Sequence, residues 1–472
     1  MRDETTDFSV RDTRVVVVGA ARSGIAAARL LASRGGRVVL TDMRDTADVR
    51  RAVGSLVGLD VTLELGGHRD ATLETANLVV LSPGVPPRLP VLERARRRGI
   101  SVISEVELAS RWLRGSLVAI TGTKGKSTTA VVTGRMLESD GRKVLVGGNI
   151  GEALSGQVER STPEVVHVVE TSSFQLELTE TFRPSIAVFL NLSTDHLDRH
   201  RSFLEYADAK ARIFANQTES DSMVINADDP QVLELAREGR ARRMLFATED
   251  DDRHAREELN AGAGAVVVSD DMVVHRSRDG ERPLFPLASI KVEIPGRHLL
   301  SDVLAAAAVS TLADVAPDNM RRGLESFSGL EHALQLVGKV GGVRFVNDSK
   351  ATNVIAAQRA IESVGDHVVV IMGGQFKGGD LRALASTVAT HAHAVVAIGE
   401  SRPEFVEAFQ GVVTVLEAET MDEAVQSAFA TASPAGVVLL APACASFDMF
   451  RNYADRGKAF GDAVQRVGRA AN

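Results

Sequence analysis

The sequence predicts an α/β protein of several domains built on largely parallel sheets. Short Val/Ile/Leu runs alternate with helical patterns along nearly the whole chain. The runs are continuous rather than alternating, as strands covered on both faces require. And 472 residues are too many for one core, suggesting about three domains at roughly 150 residues each. Hydrophobic residues at 44%, charged residues at 25% and a mean hydropathy of +0.01 are ordinary for a globular chain. Aromatics are only 4%, so Val, Ala and Leu must fill the cores. Lys+Arg 54 against Asp+Glu 62 gives a net charge of −8, which argues against nucleic-acid or anionic-membrane binding through bulk charge. The single Cys444 excludes an intramolecular disulfide, the first residues form no apolar signal segment, and no apolar run reaches membrane-spanning length. A cytoplasmic location without membrane insertion is expected.

The first block, residues 1–114, opens with a strand at Arg14 to Val18, a helix near Ile25 to Ser33 and a strand from Arg37 that ends at Asp42. The turn Gly19-Ala20-Ala21-Arg22-Ser23-Gly24 resembles a dinucleotide fingerprint, but Ala21 stands where a glycine lets backbone approach a pyrophosphate, which disfavours NAD. Ser82-Pro83-Gly84-Val85-Pro86, after a strand at Leu78 to Leu81, adds a second rigid turn at the same edge.

The second block, residues 115–327, begins with a strand at Leu117 to Ile120 and carries the strongest single signal, Thr121-Gly122-Thr123-Lys124-Gly125-Lys126-Ser127-Thr128. Between a strand and a helix, such glycines let backbone N–H groups converge on phosphate oxygens, a lysine neutralises the transferred phosphate and a serine ligates Mg²⁺. The spacing departs from the full Walker pattern, since Ile120 stands six before Lys126. Glu170 ends a strand at the edge where open α/β sheets bind ligands, and is a hard oxygen ligand for Mg²⁺. His196, in Asn191-Leu192-Ser193-Thr194-Asp195-His196-Leu197-Asp198, follows the next strand to that edge, whereas His167 sits inside an apolar strand and reads as structural. Lys210 lies on a helix predicted over Ser202 to Ala215, where an ordinary lysine faces solvent. From about Glu249 to Pro286 the pattern changes to charged loops and short β runs, an elaboration without a catalytic motif.

The third block, residues 328–472, sets three polar turns after three strands: Asn347-Asp348-Ser349-Lys350-Ala351-Thr352-Asn353, Gly373-Gly374-Gln375-Phe376-Lys377-Gly378-Gly379, and Ala441-Pro442-Ala443-Cys444-Ala445-Ser446-Phe447-Asp448. Turns on one sheet rim are the expected place for a small-molecule site, and two lysines there suit an anion.

Together these motifs, with Glu170-Thr171-Ser172-Ser173-Phe174-Gln175-Leu176 and Asp195-His196-Leu197-Asp198-Arg199, closely resemble the Mur ligase family of peptidoglycan synthesis. The third-block motifs point toward its D-glutamate-adding members. The resemblance implies a three-domain architecture: a Rossmann-like N-terminal domain for a UDP-sugar, a P-loop-type central ATPase domain and a Rossmann-like C-terminal domain for the amino acid. It implies a monomeric ATP-dependent amide ligase that joins D-glutamate to UDP-N-acetylmuramoyl-L-alanine through an acyl phosphate. Ser23, Asp42, Arg44, Ser82 and Asn149 then match positions that receive the UDP-substrate. Gly122, Thr123, Lys124, Gly125, Lys126, Ser127, Thr128 and Asp348 match positions that receive ATP. Ser127 and Glu170 serve one Mg²⁺, and His196 a second. Lys210 matches a carbamylated lysine: an ammonium would repel Mg²⁺, and CO₂ addition makes it an anionic ligand. Lys350, Thr352, Lys377 and Ser446 match positions that receive D-glutamate.

Two segments depart from the family pattern. Pro-His-Arg is here Glu331-His332-Ala333, and His-Asn-x-x-Asn is His298-Leu299-Leu300-Ser301-Asp302. Base recognition is therefore where this chain differs, while the phosphate and metal machinery is intact. The alternatives carried are another Mur or folylpolyglutamate-type ligase, and a catalytically silent nucleotide-binding homologue.

Overall fold

The computed structural model describes residues 8–195, 199–248, 262–291, 297–376, 378 and 380–471. Among these the strands form three sheets. The first is wholly parallel, in the order Val61–Leu65, Arg37–Asp42, Arg14–Val18, Leu78–Leu81, Ser101–Ser104. Its central strand Arg14–Val18 carries four fully buried valines, the continuous apolar run that two covered faces demand.

The second sheet has a parallel core in the order Gly264–Ser269, Arg242–Phe246, Ser222–Asn226, Ile186–Phe189, Ser116–Thr121, Val165–Glu170, Lys143–Gly148. Met272–Ser277 and Gly280–Pro286 extend its edge antiparallel. The described part of the expected elaboration is therefore an added β-meander on this sheet, whereas 249–261 lie outside the described residues. The third sheet runs Gln335–Val340, Val343–Asn347, Val437–Leu440, Val368–Gly373, Ala392–Ile398, Thr414–Glu417, parallel except for its first pair.

The described residues fall into two compact units, one up to Phe327 with the first two sheets, the other from Ser328 with the third. Within the first unit the two sheets share an apolar cluster in which Leu30, Val106, Ala109 and Leu113 meet Leu154, Val158 and Phe182. The short helix Glu105–Ser110, capped by Ser104 Oγ accepting from Glu107 N, fastens them. Its Glu107 is completely buried. The carboxylate accepts hydrogen bonds from the backbone N of Glu180 (2.9 Å) and Phe182 (2.8 Å), from Thr181 N and Oγ1 (2.6 Å), and from Arg111 Nε (2.8 Å).

Burial alone pushes Glu107 up, yet Thr181, the backbone of Glu180 and Arg111 hold it below its ordinary 4.5. A depressed carboxylate stabilises the fold at pH above its unfolded value, and that contribution is lost as pH falls through the folded one. Glu107→Ala is thus expected to lower stability by about 3–5 kcal/mol at neutral pH, with the gap to wild type narrowing below about pH 4. Denaturant midpoints across pH would show this. An equal gap at every pH would remove the carboxylate from the explanation.

Candidate active site

The turn after strand Ser116–Thr121 leads into helix Lys126–Ser139. Gly125 caps this helix at φ +82, and a Cβ there would lie 1.9 Å from Asp302 Oδ1, so only glycine fits. Asn191 shapes the loop from the neighbouring strand end, with its carbonyl O accepting from Thr123 N at 2.9 Å and Oδ1 accepting from Lys124 N at 2.9 Å. Lys126 Nζ curls back to donate to the carbonyls of Gly122 (2.9 Å) and Thr123 (2.8 Å). The ammonium is thereby held against the loop by two backbone carbonyls.

Beside the loop, Glu170 ends strand Val165–Glu170 and is 2% exposed. Ser127 Oγ donates to its Oε2 at 2.6 Å and Asn149 Nδ2 to its Oε1 at 2.7 Å. Asn149 stands in the turn after strand Lys143–Gly148, so three neighbouring strand ends converge here.

Lys210 is not solvent-facing, which corrects the helical expectation. It is 2% exposed on helix Phe203–Ala211, and its Nζ donates to Gly122 O at 2.7 Å and lies 4.8 Å from the Tyr206 ring centre. Periodicity misplaces it because Lys210 shares the buried face of this helix with Tyr206, Ala207 and Ala209. Burial first, then the Lys126 cation, push its pKa well below 10.5, against the pull of Asp195 and Glu170. Burial and a lowered pKa are the setting in which lysine amines act as nucleophiles.

This donor set fits a hard dication: a serine hydroxyl and a carboxylate within 2.6 Å of each other. Among the described residues no group of three His, Cys, Asp or Glu stands ready to hold a metal, so Ser127 and a modified Lys210 would have to contribute. His196 lies outside the described residues.

On the first sheet's rim, Asp42 accepts from Ala20 N (2.8 Å) and Arg44 N (2.9 Å) and pairs with Arg44 Nε (3.2 Å). Burial raises its carboxyl, but Arg44 and these backbone groups hold it below its usual value. Ser82 Oγ donates to Gly19 O at 3.0 Å, and Ser23 is the second residue of the adjoining helix Arg22–Ser33. Ala21 forms the helix N-cap with no side-chain cap, so the departure from the fingerprint is accommodated by extended backbone there. Sequence reading missed His68, whose Nδ1 lies 3.0 Å from Thr41 Oγ1 and which burial depresses. It also missed His200, buried between Phe174 and Tyr206 with Nε2 3.0 Å from Ser173 Oγ.

In the second unit the three polar turns share one rim. Gln375 and Ala445 exchange two backbone hydrogen bonds at 2.9 and 3.0 Å, Asp348 N donates to Leu440 O, and Ser446 is buried. Burial pushes the Asp348 carboxyl up to about 7. Lys350 is exposed and Thr352 half-buried on this rim, whereas Lys377 lies outside the described residues. Missed entirely was Arg456, 1% exposed near the start of helix Tyr453–Ala471. Its guanidinium donates to Ser349 Oγ (3.0 Å), Ser349 O (2.9 Å) and Cys444 O (3.1 Å), with Ala445 O at 3.3 Å. With Gly373 O also accepting at 3.5 Å, one cation ties all three turns together, a role that a lone arginine in a polar helix does not announce.

Three family models match the chain: "Mur ligase MurD-like, N-terminal domain" over residues 13–104, "Mur ligase middle domain" over 120–310 and "Mur ligase, glutamate ligase domain" over 334–444. The UDP-N-acetylmuramoylalanine--D-glutamate ligase of Koribacter versatilis is 40% identical over 460 residues, 98% of this chain and 99% of that one. The chain belongs to the Mur ligase family. The enzyme of the same name from Geobacter metallireducens is 41% identical over 461 residues, 98% of this chain and 99% of that one. Among solved structures, the Mur ligase fold recurs in the UDP-N-acetylmuramate-alanine ligase MurC from Thermotoga maritima, at TM-score 0.57, 18% identity and coverage of 96% of this chain and 100% of that one. It recurs too in a pseudomurein peptide ligase type C from Methanothermus fervidus, at TM-score 0.55 and 18% identity over 96% and 100% of the two chains. Within this Mur ligase, the phosphate loop and Glu170 fall inside the matched middle domain, and Asp42 and Ser82 inside the matched N-terminal one.

Proposed function

We propose that this Mur ligase joins D-glutamate to UDP-N-acetylmuramoyl-L-alanine at the expense of ATP, in peptidoglycan precursor synthesis within the cytoplasm. The observation that carries the reading is end-to-end similarity, about 40% identity, to ligases of that name, joined to a phosphate loop whose Ser127 meets a buried carboxylate. Domain limits near 114/115 and 327/328 follow the same reading. A carboxylate is a poor acyl donor, so the L-alanyl carboxyl first takes the γ-phosphoryl group of ATP, and the amine of D-glutamate then displaces phosphate from the acyl phosphate. Lys126 leaves its carbonyl partners to neutralise the transferred group, and catalysis is mainly positioning and charge compensation.

Ser127, Glu170, His196 and Lys210 as a carbamate would hold Mg²⁺, which when bound neutralises phosphate charge. Ser23, Asp42, Arg44, Ser82 and Asn149 hold the UDP-substrate, with Asp42 offered as an ionised acceptor already oriented by backbone N–H groups. Gly122 to Thr128 and Asp348 serve ATP. Lys350, Thr352, Lys377 and Ser446 receive D-glutamate, whose two carboxylates suit lysines.

Phosphate release with UDP-N-acetylmuramoyl-L-alanine and each glutamate enantiomer, with and without Mg²⁺, tests the reading. Turnover is expected with D-glutamate and Mg²⁺ only, and release with L-glutamate alone would overturn it. Lys377→Ala is expected to raise the KM for D-glutamate about tenfold or more, as loss of a charge-assisted contact does. An unchanged KM would take Lys377 out of the pocket.

A further inference from the structure

We propose that Arg22 is a positioning residue that sets the geometry of Glu170 from the neighbouring domain, by holding the turn at residues 149–151. The inference rests on the ligase reading above and assigns a role that the resemblance does not carry.

Arg22 is the first residue of helix Arg22–Ser33, directly after the turn Gly19-Ala20-Ala21. Its guanidinium reaches across to the second sheet, where Nη2 donates to Asn149 O at 2.9 Å and Nη1 donates to Gly151 O. The turn it grips is the one that orients the carboxylate. Asn149 N donates to Glu170 O at 2.9 Å, and Asn149 Nδ2 donates to Glu170 Oε1 at 2.7 Å. The other carboxylate oxygen accepts from Ser127 Oγ on the phosphate loop. A continuous line of hydrogen bonds thus runs from the rim that carries Asp42 and Ser82 to the loop that faces ATP.

Two features make the turn dependent on this grip. Gly148 and Gly151 adopt φ of +93 and +54, so the segment has little intrinsic preference for its shape. The apolar contact of this helix with Leu154 and Val158 is made through Leu30, two turns away, and an open groove of about 480 Å³ lies between, along Ile25, Ala26 and Ala153. At the turn itself the contacts from the helix are the two charge-assisted hydrogen bonds of Arg22 to carbonyls. Freed from Arg22, the Asn149 amide would no longer fix Glu170 Oε1, and the carboxylate would be less well placed to hold Mg²⁺.

The test reads nucleotide binding rather than turnover. A fluorescent ADP analogue is titrated with Mg²⁺ in the absence of UDP-substrate and D-glutamate, and the Mg²⁺ concentration at half-saturation is compared. Arg22→Ala is expected to raise that midpoint about fivefold, in the usual range for coupling through a hydrogen-bonded network. Arg22→Met keeps the aliphatic stem and loses only the donors, and is expected to shift it equally. Arg29→Ala, which loses a bond to Ser55 O farther along the same helix, is expected to leave it unchanged. Either Arg22 variant at the wild-type midpoint overturns the proposal, including the case where affinity for the UDP-substrate alone falls, which would make Arg22 a direct substrate contact. An Arg29→Ala shift of the same size overturns it too, as general loosening of the helix. Wild-type protein that binds no nucleotide at any Mg²⁺ concentration would instead bring down the ligase reading, and the relay with it.

Discussion

Lys210→Ala is expected to cut ligase turnover by about 100- to 1000-fold, the cost of removing one preorganised electrostatic group from a water-poor site. The lysine is sealed against the phosphate loop with its amine 2.7 Å from Gly122 O, and burial beside Lys126 pushes its pKa well below the usual lysine value. A neutral amine can add CO₂, and the resulting carbamate would place an anionic oxygen ligand beside Ser127 and Glu170. The alanine variant leaves a space that a short carboxylic acid can enter, so acetate or formate is expected to restore part of the turnover. Full activity in the variant without added acid would end the carbamate assignment. Loss of activity that no carboxylic acid relieves would assign the lysine a positional role through its bond to Gly122.

Arg456→Ala is expected to destabilise the second unit by about 3–5 kcal/mol, since it abandons several buried carbonyls that now share one cation. Burial lowers the guanidinium only to about 10, so it remains charged at neutral pH. The turns it ties are those carrying Ser349-Lys350 and Cys444-Ala445-Ser446, the proposed D-glutamate positions. Denaturant unfolding and the KM for D-glutamate should therefore worsen together. Arg456→Lys is expected to recover part of the stability through one or two of the bonds. A stable alanine variant with an unaltered KM would show that the turns hold their shape without it.

Much of the fold was legible in the chain because parallel strands buried on both faces leave continuous apolar runs, and their turns leave glycines. The strand Arg14–Val18, the loop Gly122 to Lys126 and the carboxylate Glu170 at a strand end could all be placed that way. Edge strands such as Val61–Leu65, whose residues are half-buried or exposed, gave no comparable signal. His68 and His200 were also out of reach, since a histidine shows its surroundings only when distant elements close around it.

Sequence by itself determined the α/β class, the phosphate loop and the ligase family, because those depend on local patterns of apolarity, glycine spacing and short motifs. Tertiary structure decided which charges are hidden, Lys210 against Gly122, Glu107 under residues 180–182 and Arg456 beneath three turns, and which reach a distant partner, as Arg22 does at Asn149. The physical reason is that burial and hydrogen-bond partners of a polar side chain are properties of contacts far apart along the chain, and no periodicity in its own segment records them.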